Sequence, residues 1–91
     1  MITKGRKKGT FRFVLQASNG VKKVCVAGDF SDWEPLRMRK QKNGSYAITL
    51  PLTAGSYQYK FQVDDEWLLD PDNQANDLNP YGSLNSLADI Q

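Results

Sequence analysis

Between Tyr57 and Val63 apolar and polar residues alternate without a break: Tyr57, Tyr59, Phe61 and Val63 fall on one side, Gln58, Lys60 and Gln62 on the other. Only an extended chain, whose side chains point alternately to opposite faces, turns that order into one apolar face and one wet face. The spacing therefore predicts an antiparallel strand buried on one side. The same period recurs where Phe11, Phe13 and Leu15 alternate with Arg12, Val14 and Gln16. No segment holds a helical period for even about ten residues.

Turn signals divide the remainder. Ser18-Asn19-Gly20 precedes a β-branched run from Val21 to Ala27, which gives way to a loop from Gly28 to Trp33 and is closed by Pro35. A short strand is expected over Met38 to Lys42. Asn43-Gly44 is a hairpin signal before Ser45 to Leu50, and Pro51 ends that strand. Asp64-Asp65-Glu66 turns the chain into Trp67-Leu68-Leu69. Residues 70–82 are polar and irregular, and Ser83 to Ile90 supplies a last strand. About seven short strands, with turns every eight to twelve residues or so, indicate an all-β, antiparallel two-sheet sandwich; a small barrel is the second choice.

At 91 residues the chain has room for one core. Residues 1–10 carry Lys4, Arg6, Lys7 and Lys8 with little to bury, so they read as a basic flexible arm ahead of a folded domain over residues 11–91. No apolar run approaches the roughly 20 residues of a membrane span. No secretory leader is evident, and the single Cys25 suits a reducing compartment, so a cytoplasmic address is expected. The net charge of +2 conceals a segregation: residues 1–23 hold seven Lys/Arg and no acid, residues 64–91 seven Asp/Glu and no base. The arm reads as solvated and not as a nucleic-acid contact, because no aromatic is interleaved for base stacking.

Histidine is absent, which removes the common general base and every Ser-His or Cys-His nucleophile system. Catalysis would fall to the carboxylates Asp64, Asp65, Glu66, Asp70 and Asp72, but a paired-carboxylate hydrolase needs a deep cleft that a thin sandwich lacks. Asp70-Pro71-Asp72-Asn73 resembles the start of a calcium loop, yet Ala75 stands where glycine is required and Tyr81 where glutamate is. No catalytic residue, metal or cofactor is expected. On pattern alone Trp33 and Trp67 are open to two readings, sandwich core or exposed stacking platform.

Four ordered motifs carry a resemblance. Val24-Cys25-Val26-Ala27-Gly28-Asp29-Phe30-Ser31-Asp32-Trp33 resembles the V-x-V/L-A/S-G-D/S-F-N/S-x-W signature of the glycogen-binding domain, carbohydrate-binding module family 48. That family occurs in the β subunits of AMP-activated protein kinase and at the front of branching and debranching enzymes. Residues 55–64 resemble its G-x-Y-x-Y-K-F-x-V-D strand, 65–71 its G-x-W-x-x-D-P and 82–86 its closing G-x-x-N-x. Asp65 departs from the family's usual glycine, at a position that wants a positive φ.

The resemblance implies an immunoglobulin-like sandwich without catalytic machinery that binds α-1,4-linked glucan on one face. By position, Trp33 and Trp67 match the two indoles that stack on glucose, Lys60 the lysine that bonds hydroxyls and Asn85 the asparagine at the far end. Ser83 stands for a small hydroxyl residue in the glucan-facing loop, and Tyr81 replaces an apolar residue there. An open contact of this kind implies weak binding, roughly 10 μM to 1 mM. The alternative is a regulatory sandwich that docks a glucan-metabolising enzyme or kinase and binds little sugar.

Overall fold

Phe13 and Leu15, inward positions of the first alternation, are buried, and so are Tyr59 and Phe61 of the second. In the computed structural model, which describes residues 1–91, these two runs anchor opposing sheets. The strands in chain order are β1 (Ile2–Lys4), β2 (Thr10–Gln16), β3 (Val24–Gly28), β4 (Leu36–Arg37), β5 (Arg39–Lys40), β6 (Ser45–Pro51), β7 (Gly55–Val63), β8 (Glu66–Leu68), β9 (Asn76–Leu78) and β10 (Leu84–Ile90). The first sheet runs β1-β2-β6-β5. The second runs β4-β3-β7-β10-β9, with β8 also on β7, and every pairing is antiparallel.

The all-β sandwich is as expected, but it has ten strands and not about seven. Three differences account for this. The first ten residues are not wholly an arm: Ile2–Lys4 pairs with Phe11–Phe13, and Ile2 packs against the core. The single strand expected over Met38 to Lys42 is replaced by two short ones, because the chain crosses between sheets at Met38, whose buried side chain plugs the crossing. Within the polar stretch 70–82, Asn76–Leu78 pairs with β10 although all three residues are exposed, so its backbone partner and not its apolar content defines it. No helix is long and apolar enough to cross a membrane.

The core interleaves Phe13, Leu15 and Tyr46 of the first sheet with Val24, Val26, Tyr59, Phe61, Ala88 and Ile90 of the second. Phe13 and Tyr59 meet edge to face at 5.4 Å across the layers, and Tyr59 meets Phe61 at 5.9 Å. Each fully buried ring of this size is worth about 1.5–3 kcal/mol over an exposed one.

Tyr59 is also polar, and its hydroxyl needs a partner. It donates to Asp70 Oδ2 at 2.7 Å and accepts from Asn73 Nδ2 at 3.0 Å. Asp70, 2% exposed, also accepts from the Met1 amino group at 2.6 Å and the Asp72 N–H at 2.9 Å, while its own N–H donates to Ser86 Oγ. Asn73 Nδ2 further donates to the Leu87 carbonyl. Burial pushes the Tyr59 phenol well above its usual range, Asn73 pulls it back, and the Asp70 carboxylate adds to the rise.

Two consequences can be measured. Tyr59→Phe takes one donor from a buried carboxylate and should cost about 1–3 kcal/mol in urea unfolding. The Tyr59 value in the fold lies above its unfolded value of about 10, so the stabilisation is complete below about pH 10 and lost as pH rises beyond it; the variant should show a shallower alkaline fall. Gly28 lies on extended backbone, but a Cβ there would sit 2.5 Å from the Gln58 carbonyl oxygen and 2.9 Å from Tyr59 Cβ. Gly28→Ala should therefore lower stability by about 1–3 kcal/mol through crowding alone.

Candidate functional site

β3 is buried along its whole length and ends at Gly28, where the close approach to β7 leaves no room for a side chain. Beyond it a single 3-10 turn, Asp29–Ser31, reverses the chain. Ser31 Oγ bonds both the Gly28 backbone and the Glu34 carbonyl, and the Trp33 N–H returns to the Gly28 carbonyl at 2.9 Å. Closing the loop this tightly puts Asp32 and Trp33 at φ 51° and 63°, left-handed values that non-glycine residues seldom adopt. Asp29 fixes the result. One carboxylate oxygen accepts from Trp33 Nε1 at 3.1 Å and the other from the Gln58 N–H at 2.7 Å. The indole N–H is thus occupied while the ring stands half-buried outside the core.

Trp67 arrives from the other side. Asp64 and Asp65 form a two-residue turn with φ 48° and 71°, the double positive φ of a type I′ hairpin. The position where glycine is usual does take a left-handed conformation, and Asp65 adopts it. Asp64 Oδ1 secures the turn by accepting from the Lys22 and Lys23 N–H groups at 3.0 and 2.8 Å. β8 then pairs Trp67 with Gln62, on the outward face of β7. The two indoles meet with centroids 6.5 Å apart and planes at 64°, and Trp67 remains 48% exposed. Neither belongs to the core.

The rings form one wall of an open hollow of about 640 Å³. Asn79, Pro80 and Tyr81 of the β9–β10 loop form the facing wall, and Gln58 and Asn85 lie between. Asn79 shapes that loop: its Oδ1 accepts from the Tyr81 and Ser83 N–H groups, and its Nδ2 donates to Ser83 Oγ at 2.6 Å. Tyr81 at the tip is 94% exposed. On the floor, Asn85 Nδ2 donates to Gln58 Oε1 at 2.8 Å and Gln58 Nε2 to Asp77 Oδ2 at 3.2 Å.

Four of the six residues singled out from sequence, Trp33, Trp67, Tyr81 and Asn85, thus line one hollow. Lys60 and Ser83 do not. Lys60 is half-buried on the same outward row as Gln58 and Gln62, where β10 and β8 meet along one edge of β7. Ser83 braces the loop from behind through Asn79. Asp29, Gln58, Asn79 and Pro80 were not singled out. Asp29 sits inside the Gly-Asp-Phe motif and Gln58 shares the parity of Lys60, so both had a signal; Asn79-Pro80 lay in a stretch without periodicity.

None of the five carboxylates considered for hydrolysis lines the hollow: Asp64 caps backbone, Asp65 lies 3.6 Å from Lys23, Asp70 is in the core, and Glu66 and Asp72 are exposed outside it. Asp29 is the one carboxylate lining the hollow. Paired-carboxylate hydrolysis needs two.

Residues 11–91 match the family described as the glycogen recognition site of AMP-activated protein kinase. The chain is 32% identical over 78 residues to the rat (Rattus norvegicus) 5'-AMP-activated protein kinase subunit beta-1, a match covering 86% of this chain and 28% of that subunit. It is 39% identical over 54 residues to Protein PTST homolog 2, chloroplastic, of Arabidopsis thaliana, covering 58% of this chain and 10% of that protein. The crystal structure of a maltogenic amylase from S. marinus superposes with a TM-score of 0.80 at 27% identity, covering 100% of this chain and 15% of the amylase. The chain thus spans about 28% of the kinase subunit's length. With the match running from β2 to the last residue, the chain belongs to the glycogen-recognition family of carbohydrate-binding modules.

Proposed function

We propose that this chain is a non-catalytic module that binds α-1,4-linked glucan, of the glycogen or starch type, at the tryptophan hollow, and so localises itself or a partner on the polysaccharide. The observation that carries this reading is the 64° angle between the two indole planes at 6.5 Å. A sugar ring offers a flat face of C–H groups to the π face of an indole. Two coplanar platforms would suit the flat ribbon of a β-linked glucan, whereas angled platforms suit a chain that turns between successive rings, as α-1,4 linkages make it do.

Around the rings, the hydroxyls of the sugar find partners of the right kind. Asn85 gives one of its two amide N–H donors to Gln58, which leaves its oxygen to accept from a hydroxyl. Lys60 supplies a donor from the outward row of β7, Tyr81 closes on the chain from the loop tip, and Ser83 acts by holding that loop. Because Asp29, Ser31 and Asn79 fix both walls beforehand, little ordering entropy is lost on binding. The site is nonetheless open, which keeps the dissociation constant in the range of roughly 10 μM to 1 mM. Many equivalent sites on one polymer raise the local concentration of whatever carries the module. The kinase-subunit relatives support a role inside a larger assembly, with a kinase or a glucan-metabolising enzyme as partner.

Titrating intrinsic tryptophan fluorescence with maltoheptaose should give a saturable change in that range, nearly independent of salt. Trp33→Ala and Trp67→Ala, checked for folding by circular dichroism, should each weaken it at least about tenfold, the loss of about 1.4 kcal/mol of stacking. No response up to about 10 mM sugar would overturn the reading. Asp29→Ala, which frees the Trp33 indole without touching its ring, should weaken binding by about three- to tenfold while Trp67 still responds.

A further inference from the structure

The sheet opposite the tryptophans carries a surface that the glucan reading does not use. Two adjoining hollows, of about 360 and 550 Å³, open on the outer side of the first sheet and share Arg12 and Thr49, which face each other across the β2–β6 ladder. Arg37 and Arg39 complete the cationic lining of one, Lys4, Arg6 and Lys7 that of the other. These six cations are half of the chain's 12 Lys and Arg, and no acid lines either hollow. The chain's two ion pairs, Met1–Asp70 and Lys23–Asp65, engage none of them. Arg12 is half-buried, and its Nη2 donates to Gln41 Oε1 at 3.2 Å, so that one guanidinium is already oriented.

We propose that this face docks an acidic segment of a partner protein, leaving the tryptophan hollow on the opposite sheet free. Like charges gathered without counter-charges repel one another, and an anionic partner relieves that repulsion. Guanidinium groups favour carboxylates through paired N–H donors. Adjacent strands lie about 4.8 Å apart, so the four strands span about 14 Å, which an extended segment of about five residues crosses.

Other polyanions fit less well. None of the exposed large hydrophobic residues lines either hollow, so nothing is offered for stacking bases or for insertion into a bilayer. A flat sheet face also has no element to enter a nucleic-acid groove. A second copy of this chain would have to present its acids from the sheet that carries the tryptophans, a head-to-tail contact and not the self-complementary one of a two-fold dimer.

The probe is a fluorescein-labelled oligoglutamate of about eight residues, followed by anisotropy at about 50 and 200 mM NaCl. Wild-type protein should bind it saturably, and at least about fivefold more weakly at the higher salt. Arg12→Glu with Arg39→Glu should weaken binding at least about fivefold with the maltoheptaose titration unchanged, as should Arg6→Glu with Lys7→Glu, a loop pair that serves if the first does not fold. Lys22→Glu with Lys42→Glu removes the same charge outside both hollows and should stay within about twofold. The proposal fails if the peptide does not bind, if this control loses as much as the hollow variants, or if a single-stranded DNA of equal charge binds more tightly. It fails equally if sedimentation shows a low-salt dimer that Arg12→Glu with Arg39→Glu dissolves.

Discussion

A carboxylate buried out of reach of solvent has to be met by donors, and the way Asp70 is met sets the shape of one half of this molecule. Tyr59 brings β7 to it, Ser86 brings β10 through the Asp70 N–H, and Asn73 ties the same knot to the Leu87 carbonyl. The polar chain after β8 is thereby pinned under the second sheet, and β9 and the Asn79–Ser83 loop start from that pinned end. An all-apolar replacement of the cluster would make a stable core with less to fix where the loop begins. Removing one partner alone is the costly change, since it strands the others.

The strands that bury one face were legible because burial imposes its own period. Phe13 and Leu15, and Tyr59 and Phe61, are where the alternation put them. Elements that bury little left no such trace. Asn76–Leu78 is a strand because β10 offers it hydrogen bonds, and Ile2–Lys4 because β2 does. The expected strand over Met38 to Lys42 carries no mark of a change of sheet in its residues; the break at Met38 comes from the need to reach the opposite sheet. At the site, the ring-bearing positions stand out by chemistry, whereas the brace behind the loop does not. Ser83 and Asn79 are ordinary polar residues until the loop brings them 2.6 Å apart.

The charge segregation along the chain becomes a segregation in space through topology. The basic first 23 residues supply β1 and β2 of one sheet, and the acidic residues 64–91 supply β8, β9 and β10 of the other. β7 stands at the centre of the second sheet and pairs with β3, β8 and β10. Its outward row therefore borders the strands that carry Trp67 and Asn85 and the strand that leads into the Trp33 loop. Its inward row holds the core, so one strand's period of two separates recognition from stability.

The left-handed backbone at Trp33 has a further consequence, for how the position can change over evolutionary time. Residue 33 is filtered twice, once for a ring and once for φ near 63°. Glycine would satisfy the backbone and abolish the platform; β-branched residues would offer neither a ring nor a tolerable φ. Only another aromatic keeps the platform, and it inherits the same strain of about 1–2 kcal/mol. No single substitution relieves the backbone without giving up the surface it presents, so drift at this residue leads to loss of the platform before it leads to refinement.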